Sequence, residues 1–224
     1  VGAGGKVEGF EDKYLFGRRA NGIYIPRYRN LFGDKRDYLR GFGYQGGAGR
    51  DGWGRNIPEF NIGGEFKDAL SEPGAWSMGI GGFGETLPYH ENKITLDKTK
   101  KDKWGLNVLA MDIEYKENEK RMRIDMQRDA EEMLTIAGVK NVTSYIGDGT
   151  LGRGIHEMGS ARMGRDSKTS VLNNFNQVWD APNVFVTDGS FMASAACQNP
   201  SLTYMAFTAR AAEHAVSELK KMNL

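Results

Sequence analysis

The chain is 224 residues long, enough to bury a sizeable core as one large domain or two small ones. Its 30 Lys and Arg against 29 Asp and Glu leave a formal charge of +1, so no global field draws it to nucleic acid or to an anionic membrane, and a small molecule or a protein is the better-matched partner. The single cysteine, Cys197, excludes an internal disulfide framework and any cysteine-based zinc or iron–sulfur site.

The opening VGAGGKVEGF has no basic segment followed by an apolar run, and nowhere do about 18 apolar residues run together, so neither an export signal nor a membrane span is expected. The chain reads as soluble, with cytosol and periplasm both open. Its glycine-rich, methionine-free start reads as the interior of a longer protein. It matches Gly-x-Gly-x-x-Gly only as far as Val7, with no strand before it, so a dinucleotide loop is not expected there. The 30 glycines are roughly twice the average share. They cluster in Gly41–Gly54, Gly79–Glu85 and Gly147–Gly154, as surface loops or as places where backbone approaches something closely.

Five strand-like runs follow one another in the first half: Gly22–Asn30, Tyr38–Gln45, Ala75–Leu87, Asn92–Asp97 and Leu106–Tyr115. Their aromatic and β-branched content, with turn residues between, predicts one antiparallel sheet. DKTKKDKWG, Asp97–Gly105, reads as a solvated charged turn rather than a binding patch. Met122, Met126, Ala130, Met133 and Ala137 recur every third or fourth residue and predict an amphipathic helix from about Lys116, packed on the sheet and stopped by Gly138. A strand is expected over Asn141–Gly147 and another over Asn183–Ser190. Pro200 opens a long C-terminal helix whose apolar stripe runs through Leu202, Met205, Ala209, Ala212, Val216 and Leu219.

Chemistry concentrates late in the chain. IHEMGSARMG, Ile155–Gly164, sets a histidine among small and polar residues. A zinc-protease pair would need a second histidine at position 160, which is Ser160, so metal is not expected. His90 and His214 read as surface and packing histidines. Ser190 lacks a nucleophile-elbow spacing. His156, the strand-end pair Asp188–Gly189 and Asn199 before Pro200 together suggest a flat ligand approached from several sides.

The block HEMGSARMG, followed by VLNNFNQVWDAPNVFVTDGSFMASAACQNPSLTYMAFTARAAEHAV, resembles the C-terminal signature of the glucose-methanol-choline oxidoreductases, flavoenzymes that oxidise alcohols. GETLPYHENKITLDKTKKDKWGL is similar to the pyranose oxidase and glucoside 3-dehydrogenase branch. The resemblance implies FAD as cofactor, with His156 and Asn199 flanking the substrate carbon. Neutral imidazole would accept the hydroxyl proton while hydride leaves for the flavin, and the Asn199 amide would donate to the substrate oxygen. Asp188 and Gly189 match a pair that contacts the ribityl and phosphate part of FAD, and the first turn at Pro200, Ser201 and Leu202 would turn its free N–H groups toward the flavin. Ala193–Cys197 would let backbone approach the ring, with Cys197 as a small packing residue, and Arg162 would brace the loop through a carboxylate.

Family members also carry an N-terminal Rossmann unit with Gly-x-Gly-x-x-Gly, which this chain does not show. The expected architecture is therefore α+β: an antiparallel substrate-domain sheet backed by helices over residues 1–148, then residues 149–224 as a strand and long helix that complete an FAD-binding domain. Expected partners are an alcohol or sugar substrate, the N-terminal FAD-binding portion and an electron-accepting protein. Tyr24, Arg27, Tyr44 and Gln45 are the candidate sugar-pocket residues. The competing expectation is a non-catalytic carbohydrate-binding or interaction module without its own FAD.

Overall fold

The computed structural model describes residues 1–11, 22–50, 63–148, 151–152 and 156–223. Its elements form two compact units, one of residues 1–84 with 117–148, the other of residues 85–116 with 149–224. The excursion 85–116, expected within the substrate sheet, thus groups with the C-terminal segment.

The first unit is a five-stranded antiparallel sheet in the order β2-β3-β4-β1-β7, with β1 at Gly2–Val7, β2 at Ile23–Ile25, β3 at Phe42–Arg50, β4 at Trp76–Gly84 and β7 at Lys140–Tyr145. Strand β1 is the glycine-rich opening. Gly2, Gly4 and Gly5 supply no β-branched alternation; backbone pairing to β4 and β7 sets the strand, and Ala3 and Val7 tie it to the core. The glycines of β3 and β4, read as surface loops or as places of close backbone approach, lie within strands. Gly46 in β3 faces Ile80 in β4, and a Cβ there would lie 2.1 Å from the Gly79 carbonyl oxygen, so only glycine admits this register. Asp51–Gly54, Gly149, Thr150, Arg153 and Gly154 of the clusters lie outside the described residues.

Helix α1, Gly64–Ser71, is short; helix α2, Glu117–Ile136, packs on β1, β4 and β7. Met122, Met126 and Ala130 are buried as their spacing predicts, but Ala137 is exposed and Leu134 takes the last inward position. The helix ends in a Schellman motif: Gly138, at φ 88°, donates to the Thr135 carbonyl and Val139 to that of Leu134. Phe42 centres the core, its ring 5.6 Å from Tyr44 and 6.2 Å from Tyr28, both edge-on.

The same helix buries acidic groups that periodicity does not reveal. Arg29 grips Asp129 with two donors, Nε to Oδ2 at 2.7 Å and a terminal nitrogen to Oδ1 at 2.9 Å, and the Tyr28 hydroxyl donates to Oδ2 at 2.7 Å. Burial alone would raise the Asp129 pKa, but these donors outweigh it and hold the carboxyl below its ordinary range. Tyr38 donates to Asp125 at 2.6 Å, and burial pushes that phenol up to about 12. These pairs fasten residues 28–38 to α2.

In the second unit β5, Lys93–Lys101, and β6, Asn107–Asp112, pair only with each other among the described residues, so the five expected runs do not share one sheet. Asn92 closes the hairpin base by accepting from the Glu114 amide and donating to its carbonyl, both at 3.1 Å. β8, Gln177–Val178, pairs with β9, Ala181–Phe185, and a 3-10 turn spans Gly189–Phe191. The strand expected to reach Ser190 therefore stops at Phe185. Helix α3, Ser201–Lys220, starts where Pro200 predicts, but it turns its other face inward: Tyr204, Phe207, Ala211 and His214 pack, while Leu202 is 78% and Met205 68% exposed. Among the described residues no helix is long and apolar enough to cross a membrane.

Candidate active site

Phe191 is the hub of the C-terminal site. Buried to 1% exposure, it stacks on Phe207 at 4.9 Å and meets Tyr204 edge-on at 6.3 Å, both from α3. The loop after His156 is strapped to the same turn: the Ala161 amide donates to the Ser190 carbonyl at 3.0 Å, and Met163 to that of Phe191 at 2.9 Å. Gly189 marks the junction. A Cβ on it would lie 2.6 Å from the Tyr204 hydroxyl and 3.2 Å from the Glu157 carbonyl oxygen, so the residue after His156, the strand-end turn and the Tyr204 ring meet where a side chain would crowd them. Three segments remote in sequence, the loop after His156, the Asp188–Gly189 turn and the start of α3 through Tyr204, are thereby gathered.

Asp188 caps the 3-10 turn. Its Oδ1 accepts from the Ser190 hydroxyl and from the Ser190 amide at 2.9 Å, and these two bonds hold the carboxyl below its usual range. Burial, reinforced by the Asp188 and Glu157 carboxylates, pushes the Tyr204 phenol up. Pro200 is buried and no side chain caps α3, while Asn199, Ser201 and Leu202 beside it are exposed. The helix start thus has no side-chain cap. Glu85 anchors the small-residue segment before it, with one carboxylate oxygen accepting from the Ser194 hydroxyl at 2.7 Å and the Ala195 amide at 3.1 Å.

Other expected residues fare differently. Tyr44 is wholly buried in the first unit, its hydroxyl donating to the Met126 carbonyl at 2.6 Å, so it is a core residue and leaves the sugar-pocket set. The period of two that sets Tyr44 inward puts Gln45 on the opposite face, where it pairs directly with half-exposed Tyr24. Arg27 spends its guanidinium on the Arg29 and Asn30 carbonyls, at 3.2 and 3.3 Å. Arg162 donates to the Thr169 carbonyl at 2.6 Å rather than to a carboxylate. His214 stacks on Phe175 at 4.0 Å, a packing histidine, and His90 is an exposed turn residue.

Sequence reasoning missed Phe191, Tyr204 and the Glu85 anchor. The first two lie inside segments already singled out, but nothing in a linear pattern says that one phenylalanine is the hub.

This arrangement fits the FAD that the family uses. The uncapped start of α3 would suit the electron-rich part of a bound flavin, the Asp188 carboxylate would accept from one of its hydroxyls, and exposed Ala193 and Ala196 would leave backbone accessible to it. A sequence profile of the GMC oxidoreductases matches residues 88–208, more than half of the chain. The chain belongs to the GMC oxidoreductase family. It is 35% identical over 133 residues to 2-methyl-1,2-propanediol dehydrogenase of Mycolicibacterium austroafricanum, covering 59% of this chain and 24% of the relative. It is 30% identical over 155 residues to the gluconate 2-dehydrogenase flavoprotein of Pantoea cypripedii, covering 66% and 25%. C-glycoside 3-oxidase of Arthrobacter globiformis is 28% identical over 145 residues, covering 63% and 27%. The chain thus spans about a quarter of the length of the relatives it matches.

Proposed function

We propose that the chain is the catalytic C-terminal portion of an FAD-dependent oxidoreductase that oxidises a secondary hydroxyl of a sugar or glycoside. The meeting of the His156 loop, the Asp188 turn and the start of α3 at Gly189 carries this reading. Bound FAD supplies the hydride acceptor. The His156 imidazole takes the proton of the substrate hydroxyl, and the Asn199 carboxamide donates to that oxygen and stabilises its growing negative charge. Asp188, Gly189, Pro200, Ser201 and Leu202 would hold the cofactor. Tyr24 and Gln45, side by side across β2 and β3, are the remaining candidates for sugar contact.

The rest of the protein binds the ADP half of FAD and covers the exposed stripe of α3. An electron-accepting partner protein suits a relative named as the flavoprotein of gluconate 2-dehydrogenase.

In the full-length protein His156→Ala lowers turnover by about 10²- to 10⁴-fold, with the flavin spectrum retained. Unchanged turnover removes His156 from the chemistry. The pairing of exposed Tyr24 with half-buried Gln45 also suits a module that holds carbohydrate without oxidising it. A full-length protein that binds sugar yet shows no flavin absorbance would establish that reading instead.

A further inference from the structure

The tip of the β5–β6 hairpin has a composition that the oxidation chemistry does not use. Four lysines, Lys98, Lys100, Lys101 and Lys103, fall within six residues, and none has an ion-pair partner among the described residues. The two aspartates there are turned onto their own backbone. One Asp97 oxygen accepts from the Thr99 amide at 2.8 Å, the Thr99 hydroxyl at 2.8 Å and the Lys100 amide at 3.0 Å. One Asp102 oxygen accepts from the Trp104 amide at 2.8 Å and the Leu106 amide at 2.9 Å. The turn is therefore stiffened from inside, and its lysine ammoniums are left to solvent.

Apolar side chains stand beside these cations. Trp104 is 74% and Leu106 66% exposed, and the Lys103 ammonium sits 4.3 Å from the Trp104 ring centre. Behind the tip, Ile94 faces Met111 and Leu96 faces Leu109, a cross-strand apolar row that is also open. An isolated two-stranded hairpin is marginal in water, and an open row of this kind calls for a cover. Cations on long stems around an indole and leucines match the boundary between phospholipid headgroups and acyl chains, where lysines reach the phosphates and the indole lies at the headgroup level.

We propose that the hairpin tip docks the protein on an anionic phospholipid surface, with Lys98, Lys100, Lys101 and Lys103 on the headgroups and Trp104 and Leu106 inserted between them. The near-neutral total charge of +1 does not oppose this, because the field of a charged bilayer falls off within about a Debye length and reads the local patch.

Vesicle co-sedimentation of the full-length protein tests the contact on phosphatidylcholine alone and on phosphatidylcholine with about one third phosphatidylserine. The expected result is partition to the anionic vesicles at about 0.1 M salt and its loss at about 1 M, where the screening length is about 3 Å. Lys100→Ala or Lys103→Ala weakens partition about fivefold each. Trp104→Ala weakens it at about 0.1 M salt. Equal sedimentation with both vesicle types overturns the proposal, as does anionic binding that survives reversal of all four lysines to glutamate, with circular dichroism confirming the fold of that variant. Shielding of Trp104 from acrylamide without vesicles, read as the difference between wild type and Trp104→Phe, also overturns it, because the protein itself would then cover the tip.

Discussion

Helices α2 and α3 are each 20 residues long, and each carries an apolar stripe at every third or fourth position. In α2 the stripe is buried; in α3 it faces out. The cause lies in what occupies the other sides. α2 is charged around most of its circumference, with Lys120, Arg121, Arg123, Arg128, Glu131 and Glu132 leaving one way to pack. α3 is apolar on two faces, and Phe191 and Phe175 select Tyr204, Phe207, Ala211 and His214 for the inside. A helix apolar on both faces is built to lie between two layers. The first unit completes its own core, with ten mutually packed buried residues, whereas Leu172, Phe191 and Ala211 are the buried hydrophobics described in the second. That contrast is expected if the second unit is finished by another part of a longer protein.

The comparison breaks first if the charged clamp on α2 proves dispensable. Asp129→Ala removes both short bonds to Arg29, leaving it only the 3.5 Å contact with Asp34, and takes from Tyr28 its carboxylate acceptor; the expected loss is about 3 kcal/mol in urea unfolding of the full-length protein. Because the native Asp129 pKa lies below its unfolded value, its contribution is fully present above about pH 5 and fades as pH falls through the native value, below about 3.9. Asp129→Asn should therefore flatten the acid limb of the stability curve, and an unchanged limb would show that Asp129 is not ionised in the fold. Met126→Ala, on the buried stripe beneath the Tyr44 hydroxyl bond, should cost about 2–5 kcal/mol. A loss below about half a kcal/mol would mean that α2 does not rest on the sheet.

Legibility followed the same divide. Helix α2, its glycine stop and the start of α3 were readable because periodicity and capping are local signals. Strand β1 was not, since a run of Gly2, Ala3, Gly4 and Gly5 carries no side-chain signature and is specified by its neighbours. The placing of β5 and β6 outside the main sheet was equally hidden: Ile94 and Leu96 have the same alternation whichever strand they pair with. Of the site, the segments at His156, Asp188 and Asn199 stood out as motifs. Their joining at Gly189 and Phe191 depends on contacts between residues far apart in sequence, which no linear pattern encodes. Tyr44 misled because an aromatic residue on a strand looks the same in a core and in a pocket until its hydroxyl finds the Met126 carbonyl.

The outward face of α3 should matter little for stability. Met205→Ser and Val216→Ser lie on the outward face of α3, and each should change unfolding of the isolated chain by about 0.5 kcal/mol or less, because little apolar area is returned to water. The same pair should weaken the hold of the chain on a separately expressed FAD-binding portion, measured by co-purification and by flavin retention. The two readings separate what α3 does for its own unit from what it does for the rest of the protein. Destabilisation on the scale of Met126→Ala in the isolated chain would mean that the stripe is already packed, and the picture of α3 as a helix between two layers would fall. Unchanged stability with undiminished association would instead place the contact on another face, leaving the open apolar row without a role.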